Sequence, residues 1–143
     1  MTRDRRAVPL RLPTVLVVDD DADARRMYSE YLRSRGWTAF TASDGRTGLD
    51  KVGDLTPDCV IVDLAMPRVD GWTVMSRLRE SSWTSRIPIV VISARIDARD
   101  EAFRAGADAY LSKPCPPDVL WLQICALLNP ELSDTMDGLR VRP

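Results

Sequence analysis

Five short apolar segments divide the chain, and longer segments with helical spacing lie between them. The third apolar segment reads Cys-Val-Ile-Val-Asp, the composition of a strand that is buried on both faces. The predicted strands are residues 14–18, 37–41, 59–63, 87–92 and 109–111. Apolar strands that alternate with helices indicate a parallel sheet covered on both faces. The pattern therefore predicts one α/β domain.

The intervening segments predict five helices with recognisable start and stop signals. They cover residues 21–35, 44–52, 72–80, 97–105 and 116–128. Candidate N-caps are short polar residues, namely Asp20 or Asp21, Ser43 or Asp44, and Asp70. Gly36 follows the first helix, in the position where glycine commonly ends one. Within that helix, the spacing predicts that Met27, Tyr31 and Leu32 face inward.

Polar side chains stand where four of the five predicted strands end. Asp19 and Asp20 follow the first strand, Asp63 ends the third, Ser93 follows the fourth and Lys113 follows the fifth. Right-handed crossovers place the carboxyl ends of parallel strands at the same edge of a sheet. We therefore expect these groups to converge at the edge where open α/β sheets bind ligands.

Composition narrows the chemistry that this edge can perform. The chain has 143 residues, a net charge of −1 and no histidine. The absence of histidine excludes Ser-His-Asp and Cys-His catalysis, histidine-containing zinc sites and a phosphohistidine-donor role. No P-loop motif is present, and the three cysteines lack ligand-like spacing. Carboxylates, hydroxyls and lysines remain as the reactive groups.

The remaining features predict location and domain boundaries. No apolar run approaches the ~20 residues needed to span a bilayer, and the arginine-rich N-terminus has no apolar signal-peptide core. The near-zero net charge gives no indication of binding to membranes or nucleic acid. We expect a cytoplasmic protein with a basic, disordered arm at residues 1–13, one domain at 14–129 and a tail at 130–143.

Three carboxylates at one edge need positive charge nearby. At ~4 Å and an effective dielectric constant of ~20, a pair of like charges costs about 4 kcal/mol before screening. Lys113 supplies one positive charge, and Mg²⁺, which prefers carboxylates and water, would supply two. The simpler alternative is that the aspartates only cap helices, but complementary groups at four strand ends favour a site.

The chain resembles the response-regulator receiver domain, the family that includes the chemotaxis response regulator. The resemblance covers residues 14–128 and rests on motifs that occur in the family's order. These are Val17-Val18-Asp19-Asp20, Asp63-x-x-Met66-Pro67-x-x-Asp70-Gly71, Ser93-Ala94, Gly106-Ala107-Asp108-x-Tyr110 and Lys113-Pro114. It implies a flavodoxin-like (βα)5 fold with a doubly wound five-stranded parallel sheet of order 2-1-3-4-5.

The resemblance also implies a role for each residue of the site. Asp63 would accept a phosphoryl group from a phosphohistidine on a histidine kinase or a histidine phosphotransfer protein. Asp20, Asp63 and the backbone carbonyl of Ala65 would bind Mg²⁺, with Asp19 assisting through a water.

The same resemblance implies a switch. Lys113 would offset charge on the phosphoryl group, Ser93 would donate its hydroxyl to it, and Tyr110 would change rotamer. The Lys113–Pro114 peptide bond would be cis.

Three departures from the family pattern concern regulation and output. Ala65 and Arg95 stand at positions that tune dephosphorylation in the family, and Arg95 would either contact the phosphoryl group or point into solvent. The segment from Ser93 to Lys113 is about two residues shorter than usual. The last helix is apolar on nearly all sides, which predicts that a downstream partner, a second copy or the tail covers it. The candidate partner surface comprises Val119, Trp121, Leu122 and Cys125.

The leading prediction is a stand-alone phosphorylation switch with no output domain, which is not an enzyme beyond slow Mg²⁺-dependent self-dephosphorylation. One alternative is a phosphate-independent scaffold. Another is a haloacid-dehalogenase-like phosphatase, because Asp19-x-Asp21 follows an apolar strand. Asp23 stands where that family expects a hydroxyl or β-branched residue, which speaks against it.

Overall fold

The computed structural model describes residues 12–66 and 68–129. Five strands alternate with five helices along this part of the chain. The strands are β1 (Thr14–Val18), β2 (Thr38–Ala42), β3 (Cys59–Val62), β4 (Ile89–Ser93) and β5 (Ala109–Ser112). The helices are α1 (Ala22–Ser34), α2 (Gly45–Leu55), α3 (Gly71–Glu80), α4 (Arg99–Arg104) and α5 (Pro117–Leu128).

The strands form one parallel sheet of order β2-β1-β3-β4-β5, which confirms the predicted order. Every residue of β1, β3 and β4 is buried except Thr14, as expected for strands covered on both faces. The outer strands β2 and β5 are partly exposed. The carboxyl ends of the three buried strands therefore lie in the middle of one edge of the sheet.

Two apolar cores lie on opposite faces of this sheet. Residues of α2, α3 and α4 pack against one face, and residues of α1 and α5 pack against the other. The prediction for α1 was wrong in one respect, because Met27 is 42% exposed while Tyr28 is only 2% exposed. The buried face of α1 contains Ala24, Tyr28 and Leu32, which are spaced four residues apart.

Local sequence signals explain most helix boundaries. The carboxylates of Asp21, Asp44 and Asp70 accept hydrogen bonds from backbone N–H groups in the first turns of α1, α2 and α3. Gly36 follows α1 with a φ of 89°, a conformation that strongly favours glycine. Helix α4 has six residues, fewer than predicted, and no side chain caps its start.

Strand β4 begins at Ile89, two residues later than predicted. Pro88 has no N–H group to donate to a neighbouring strand, although its carbonyl accepts from the backbone of Val60 at 2.9 Å. Strand β2 begins one residue late, because the Trp37 N–H donates to Leu32 at the end of α1. The predictions for residues 1–11 and 130–143 concern segments outside the described residues.

Among the helices of the described ranges, none combines the length and apolar character that a membrane crossing requires.

Candidate functional site

The polar groups predicted to converge lie at the carboxyl edge of the sheet. Asp19, Asp63 and Lys113 directly follow β1, β3 and β5, and Ser93 is the last residue of β4. Backbone hydrogen bonds extend the strand pairing to them: Asp63 N–H donates to Val18 at 3.1 Å, and Lys113 N–H donates to Ser93 at 2.9 Å. The sheet itself thus fixes the backbone of the site.

An acidic cluster occupies the centre of this edge. Single carboxylate oxygens of Asp19, Asp20 and Asp63 all lie within 4.8 Å of one another. Asp19 and Asp63 are 3% and 7% exposed, whereas Asp20 faces solvent. The Lys113 Nζ donates to Asp19 Oδ2 at 3.0 Å and to Asp63 Oδ2 at 3.1 Å. One ammonium group therefore bridges the two buried carboxylates.

Asp63 is held through both of its carboxylate oxygens. Its Oδ1 accepts the backbone N–H of Ala65 at 3.1 Å, while its Oδ2 faces Lys113. Burial raises the pKa of the Asp63 carboxyl, although the Ala65 N–H and the Lys113 ammonium oppose that shift. Burial lowers the pKa of Lys113, but the hydrogen bond and charge of Asp19, together with the smaller effects of Asp63, outweigh it and the net direction is upward.

Hydrogen bonds hold both the carboxylate and the backbone carbonyl of Asp19. Its Oδ1 accepts from the Asp21 N–H at 2.9 Å, and its Oδ2 accepts from Lys113. Its backbone carbonyl accepts a hydrogen bond from Arg25 Nη1 at 2.8 Å. Sequence reasoning missed Arg25, and only its position one turn into a helix that follows the acidic residues could have suggested it.

The donor set fits a hard divalent cation. Carboxylate oxygens are the ligands that Mg²⁺ prefers, and three of them are clustered here. Asp20 is exposed, and its carboxylate has no hydrogen-bond partner within the described ranges. Ala65 uses its N–H on Asp63 and is itself exposed. Both oxygens of Asp19 and both oxygens of Asp63 already accept hydrogen bonds from a backbone N–H and from Lys113.

Glycine is required where α3 meets the site. A Cβ atom on Gly71 would lie 2.3 Å from the backbone oxygen of Asp63 and 2.7 Å from Leu64 Cα. Because both contacts involve backbone, a side chain at this position would displace the backbone of Asp63 and Leu64. The Asp70-Gly71 pair thus supplies a helix cap and this close approach.

The backbone of Arg95 links Ser93 to Tyr110. The buried Ser93 Oγ accepts the Arg95 N–H at 3.1 Å, and the Tyr110 hydroxyl donates to the Arg95 carbonyl. The Arg95 guanidinium pairs with Asp97 at 3.3 Å on the same loop. The side chains of the two predicted switch residues, Ser93 and Tyr110, therefore both bind the backbone of Arg95 in this structure. The Lys113–Pro114 bond is cis, as the resemblance implies.

Comparison with known proteins gives the family. The model of the response regulator receiver domain matches residues 15–124. The chain belongs to the response regulator receiver domain family. Receiver domains of two-component systems act as phosphoacceptor switches, generally not as enzymes, and interact with histidine kinases or phosphotransfer proteins.

Similar proteins include both full-length regulators and free-standing receivers. The DNA-binding dual master transcriptional regulator RpaA of Synechocystis is 35% identical over 82% of this chain and 50% of its own length. The response regulator MprA of Mycolicibacterium vanbaalenii is 38% identical over 87% of this chain and 54% of its own. The chain thus spans about half the length of the curated relatives it matches.

A solved structure of a chemotaxis regulator shares the fold of this chain. The chemotaxis response regulator CheY4 of Vibrio cholerae has a TM-score of 0.78 and 30% identity, over 82% of this chain and 100% of its own. This chain therefore has the flavodoxin-like architecture that its resemblance to receiver domains implies.

The predicted partner surface is only partly exposed in this receiver domain. Val119 and Leu122 are 40% and 37% exposed, while Trp121 and Cys125 are half-buried. The Arg35 guanidinium lies 3.9 Å from the centroid of the Trp121 ring. The indole Nε1 of Trp121 is buried and has no hydrogen-bond partner in the described part of the chain. Part of the apolar surface of α5 is therefore covered by α1.

A depression of about 700 Å³ lies beside Lys113, between α1 and the loop that follows β5. Its lining includes Met27, Tyr28, Ala94, Lys113 and Pro114. The Tyr28 hydroxyl donates to the Cys115 carbonyl at 2.9 Å within this region. Sequence reasoning missed Tyr28, although the four-residue spacing of Ala24, Tyr28 and Leu32 could have identified it as inward-facing.

Proposed function

We propose that Asp63 of this receiver domain accepts a phosphoryl group from a phosphohistidine on a histidine kinase or a histidine phosphotransfer protein. One Asp63 carboxylate oxygen forms the new P–O bond while the P–N bond to the donor imidazole breaks, and the donor nitrogen keeps the electron pair. The observation that carries this proposal is the Asp63 carboxylate itself, held at the end of β3 with Lys113 Nζ at 3.1 Å.

Asp20, Asp63 and the carbonyl of Ala65 would hold Mg²⁺, with Asp19 assisting through a water. Bound there, the ion supplies positive charge that offsets the charge of the phosphoryl oxygens. Asp20 suits direct ligation because its carboxylate is exposed and has no hydrogen-bond partner among the described residues. The indirect role of Asp19 follows the resemblance to receiver domains, because its two oxygens accept a backbone N–H and Lys113 just as those of Asp63 do.

Lys113 and Ser93 complete the proposed phosphoryl site. Lys113 sits between the two buried carboxylates before transfer, so its ammonium group is already beside the oxygen that becomes phosphorylated. Ser93 ends the adjacent strand and would turn its hydroxyl to a phosphoryl oxygen. That movement would break the Ser93–Arg95 hydrogen bond and release the peptide segment that also holds Tyr110.

The output would be phosphorylation-dependent binding to another protein in the cytoplasm. The proposed contact surface on α5 comprises Val119, Trp121, Leu122 and Cys125, and it would receive a downstream protein or a second copy. The exposure of Val119 and Leu122 supports this surface, since large apolar side chains there have no covering partner in the described ranges. Self-dephosphorylation would be slow and Mg²⁺-dependent.

Intact mass measured after incubation with acetyl phosphate tests the acceptor. We expect wild-type protein to gain one phosphoryl group in the presence of Mg²⁺ and none without it. Asp63→Asn should gain none, whereas Asp54→Asn, an exposed aspartate at the end of α2, should behave as wild type. Phosphorylation of Asp63→Asn to the wild-type extent would contradict the assignment.

Sedimentation velocity tests the contact surface. If two copies associate through α5, the phosphorylated protein should sediment as a dimer, and Leu122→Asp should restore the monomer. A phosphorylated wild-type protein that stays monomeric would exclude the homodimer.

A further inference from the structure

A buried side-chain hydrogen bond joins α1 to the loop that carries Lys113. The Tyr28 hydroxyl donates to the Cys115 carbonyl at 2.9 Å, across 87 positions of sequence. Tyr28 and Cys115 are 2% and 6% exposed. A buried carbonyl that loses its donor keeps its desolvation penalty, so this contact has a defined energetic consequence.

The loop has few other ways to fix its backbone. Pro114, Pro116 and Pro117 have no N–H group to donate. The Lys113 N–H binds Ser93 at 2.9 Å, and the next backbone donor, Val119, binds within the loop's own helix start. Among the described residues, the Tyr28 hydroxyl therefore makes the one hydrogen bond to residues 114–116 that comes from outside this loop and the helix α5 that follows it.

The position of this loop matters because one Lys113 Nζ reaches two acceptors at once. It bridges Asp19 and Asp63 at 3.0 and 3.1 Å, and a shift of the backbone that carries Lys113 would change its distance to both carboxylates. The Ser93 bond fixes the start of the segment, and the Tyr28 bond fixes it two residues later.

We propose that Tyr28 is a positioning residue for Lys113, acting through the Cys115 carbonyl to hold the ammonium group between Asp19 and Asp63. The consequence for phosphoryl transfer rests on the function proposed above. The consequence for the unphosphorylated site does not, because it concerns only where a positive charge sits relative to three carboxylates.

Tyr28→Phe tests this proposal because it removes only the hydroxyl. Tyr31→Phe is the matched control, since Tyr31 lies on the same helix and its hydroxyl makes no hydrogen bond to a described residue. Each variant is made in wild-type and Lys113→Ala backgrounds, and folding is verified by circular dichroism below the unfolding temperature. The two readouts are the Mg²⁺ affinity of the unphosphorylated protein, by calorimetry, and the rate of phosphorylation by acetyl phosphate.

We expect the two readouts to move in opposite directions. A displaced ammonium repels Mg²⁺ less, so Tyr28→Phe should bind Mg²⁺ about twofold more tightly, a smaller change than that of Lys113→Ala. The same displacement should slow phosphorylation about fivefold, the scale of one hydrogen bond. Neither change should occur in Tyr31→Phe, and both should disappear when Tyr28→Phe is made in the Lys113→Ala background.

Several results would overturn the proposal. Tyr28→Phe could match wild type in both readouts, or it could change them equally whether or not Lys113 is present, which would indicate general destabilisation. If wild-type protein takes up no phosphoryl group, the proposed function fails, but the Mg²⁺ affinities measured with and without Tyr28→Phe in the two backgrounds still decide whether Tyr28 positions Lys113.

Discussion

Two half-buried cations, Lys113 and Arg79, lie at opposite edges of the sheet, and their partners differ. Lys113 at the carboxyl edge and Arg79 at the amino edge both have side chains that are 23% exposed. Arg79 donates to the backbone carbonyls of Ser85, Ile87 and Gly106, and to Asp108 Oδ2 at 2.9 Å. Lys113 donates only to carboxylates, within the described residues.

The difference separates a cation held within the fold from the cation proposed to act in phosphoryl transfer. Arg79 pairs with one carboxylate and with neutral carbonyls, and Asp108 Oδ2 also accepts the Ile89 N–H. At the carboxyl edge, three clustered carboxylates have ion pairs only with Lys113 in the described part of the chain. The Arg79–Asp108 pair is neutral as it stands, whereas the cluster beside Lys113 retains negative charge that can attract a cation.

The largest expected effect is that of Lys113→Ala on phosphorylation. Removal of one charge-stabilising donor should slow phosphoryl transfer to Asp63 by roughly 10²- to 10³-fold. The variant also leaves Asp19 and Asp63 without their cation, so its stability should fall and then recover when Mg²⁺ is added. Rate measurement by intact mass and thermal unfolding with and without Mg²⁺ check both statements. An unchanged phosphorylation rate would show that Lys113 does not act in phosphoryl transfer.

Arg79→Ala should reduce stability without affecting the chemistry. The variant leaves three carbonyls and Asp108 without their shared donor, which should cost about 3 kcal/mol. Urea unfolding measures the loss, and Mg²⁺ should not restore it. Arg77→Ala, an exposed residue of the same helix, is the control and should unfold as wild type. A rescue by Mg²⁺ would show that the two edges are not independent.

Asp20→Asn tests whether the negative charge of the acidic cluster binds Mg²⁺ through Asp20. At a Mg²⁺ concentration about tenfold above its Kd, binding should stabilise the wild-type protein by about 1.4 kcal/mol. Asp20→Asn should lose most of this increment, because Asp20 is the cluster carboxylate without a hydrogen-bond partner among the described residues. Thermal unfolding over a Mg²⁺ titration measures it, and Asp23→Asn, which lies outside the cluster, should retain the increment.

The smallest effect concerns Tyr28 in alkaline solution. Burial raises the pKa of Tyr28 from 10.0 to about 12. The neutral hydroxyl therefore contributes stability that is fully present below pH 10, the unfolded pKa, and is lost as the pH rises toward 12. Tyrosinate absorbance should show a late component in the wild type that is missing in Tyr28→Phe. A wild-type curve without that component would mean that the hydroxyl is accessible.

Much of the site could be predicted from the order of residues. Asp19, Asp20, Asp63, Ser93 and Lys113 were placed at one edge from strand ends alone, and the structure brings the three aspartates and Lys113 together. The Asp70-Gly71 pair was predicted as a cap and a turn, but the contact of Gly71 with the Asp63 backbone was not. Strand boundaries shifted by one or two residues where Trp37 and Pro88 altered the backbone hydrogen bonds.

Side chains that join distant segments could not be predicted in the same way. The helical spacing of α1 predicted Met27, Tyr31 and Leu32 on the inward face and missed Tyr28, which lies near Met27 and Tyr31 around the helix. The packing of α1 against β1 and α5 selected Tyr28 and gave it a partner 87 residues away. Arg25 and Arg79 likewise act through carbonyls that no sequence pattern marks.

The sequence by itself determined the parallel sheet and the groups that meet at its carboxyl edge, and its resemblance to receiver domains supplied the strand order. Apolar periodicity defines the strands, and right-handed parallel crossovers place their carboxyl ends at one edge. Only the tertiary structure decided which oxygen each cation binds and which surface of α5 stays exposed. Those outcomes depend on how segments far apart in sequence pack within a few ångströms of one another. Long side chains have many rotamers, and the rotamer adopted is the one that gives a buried carbonyl its hydrogen-bond donor.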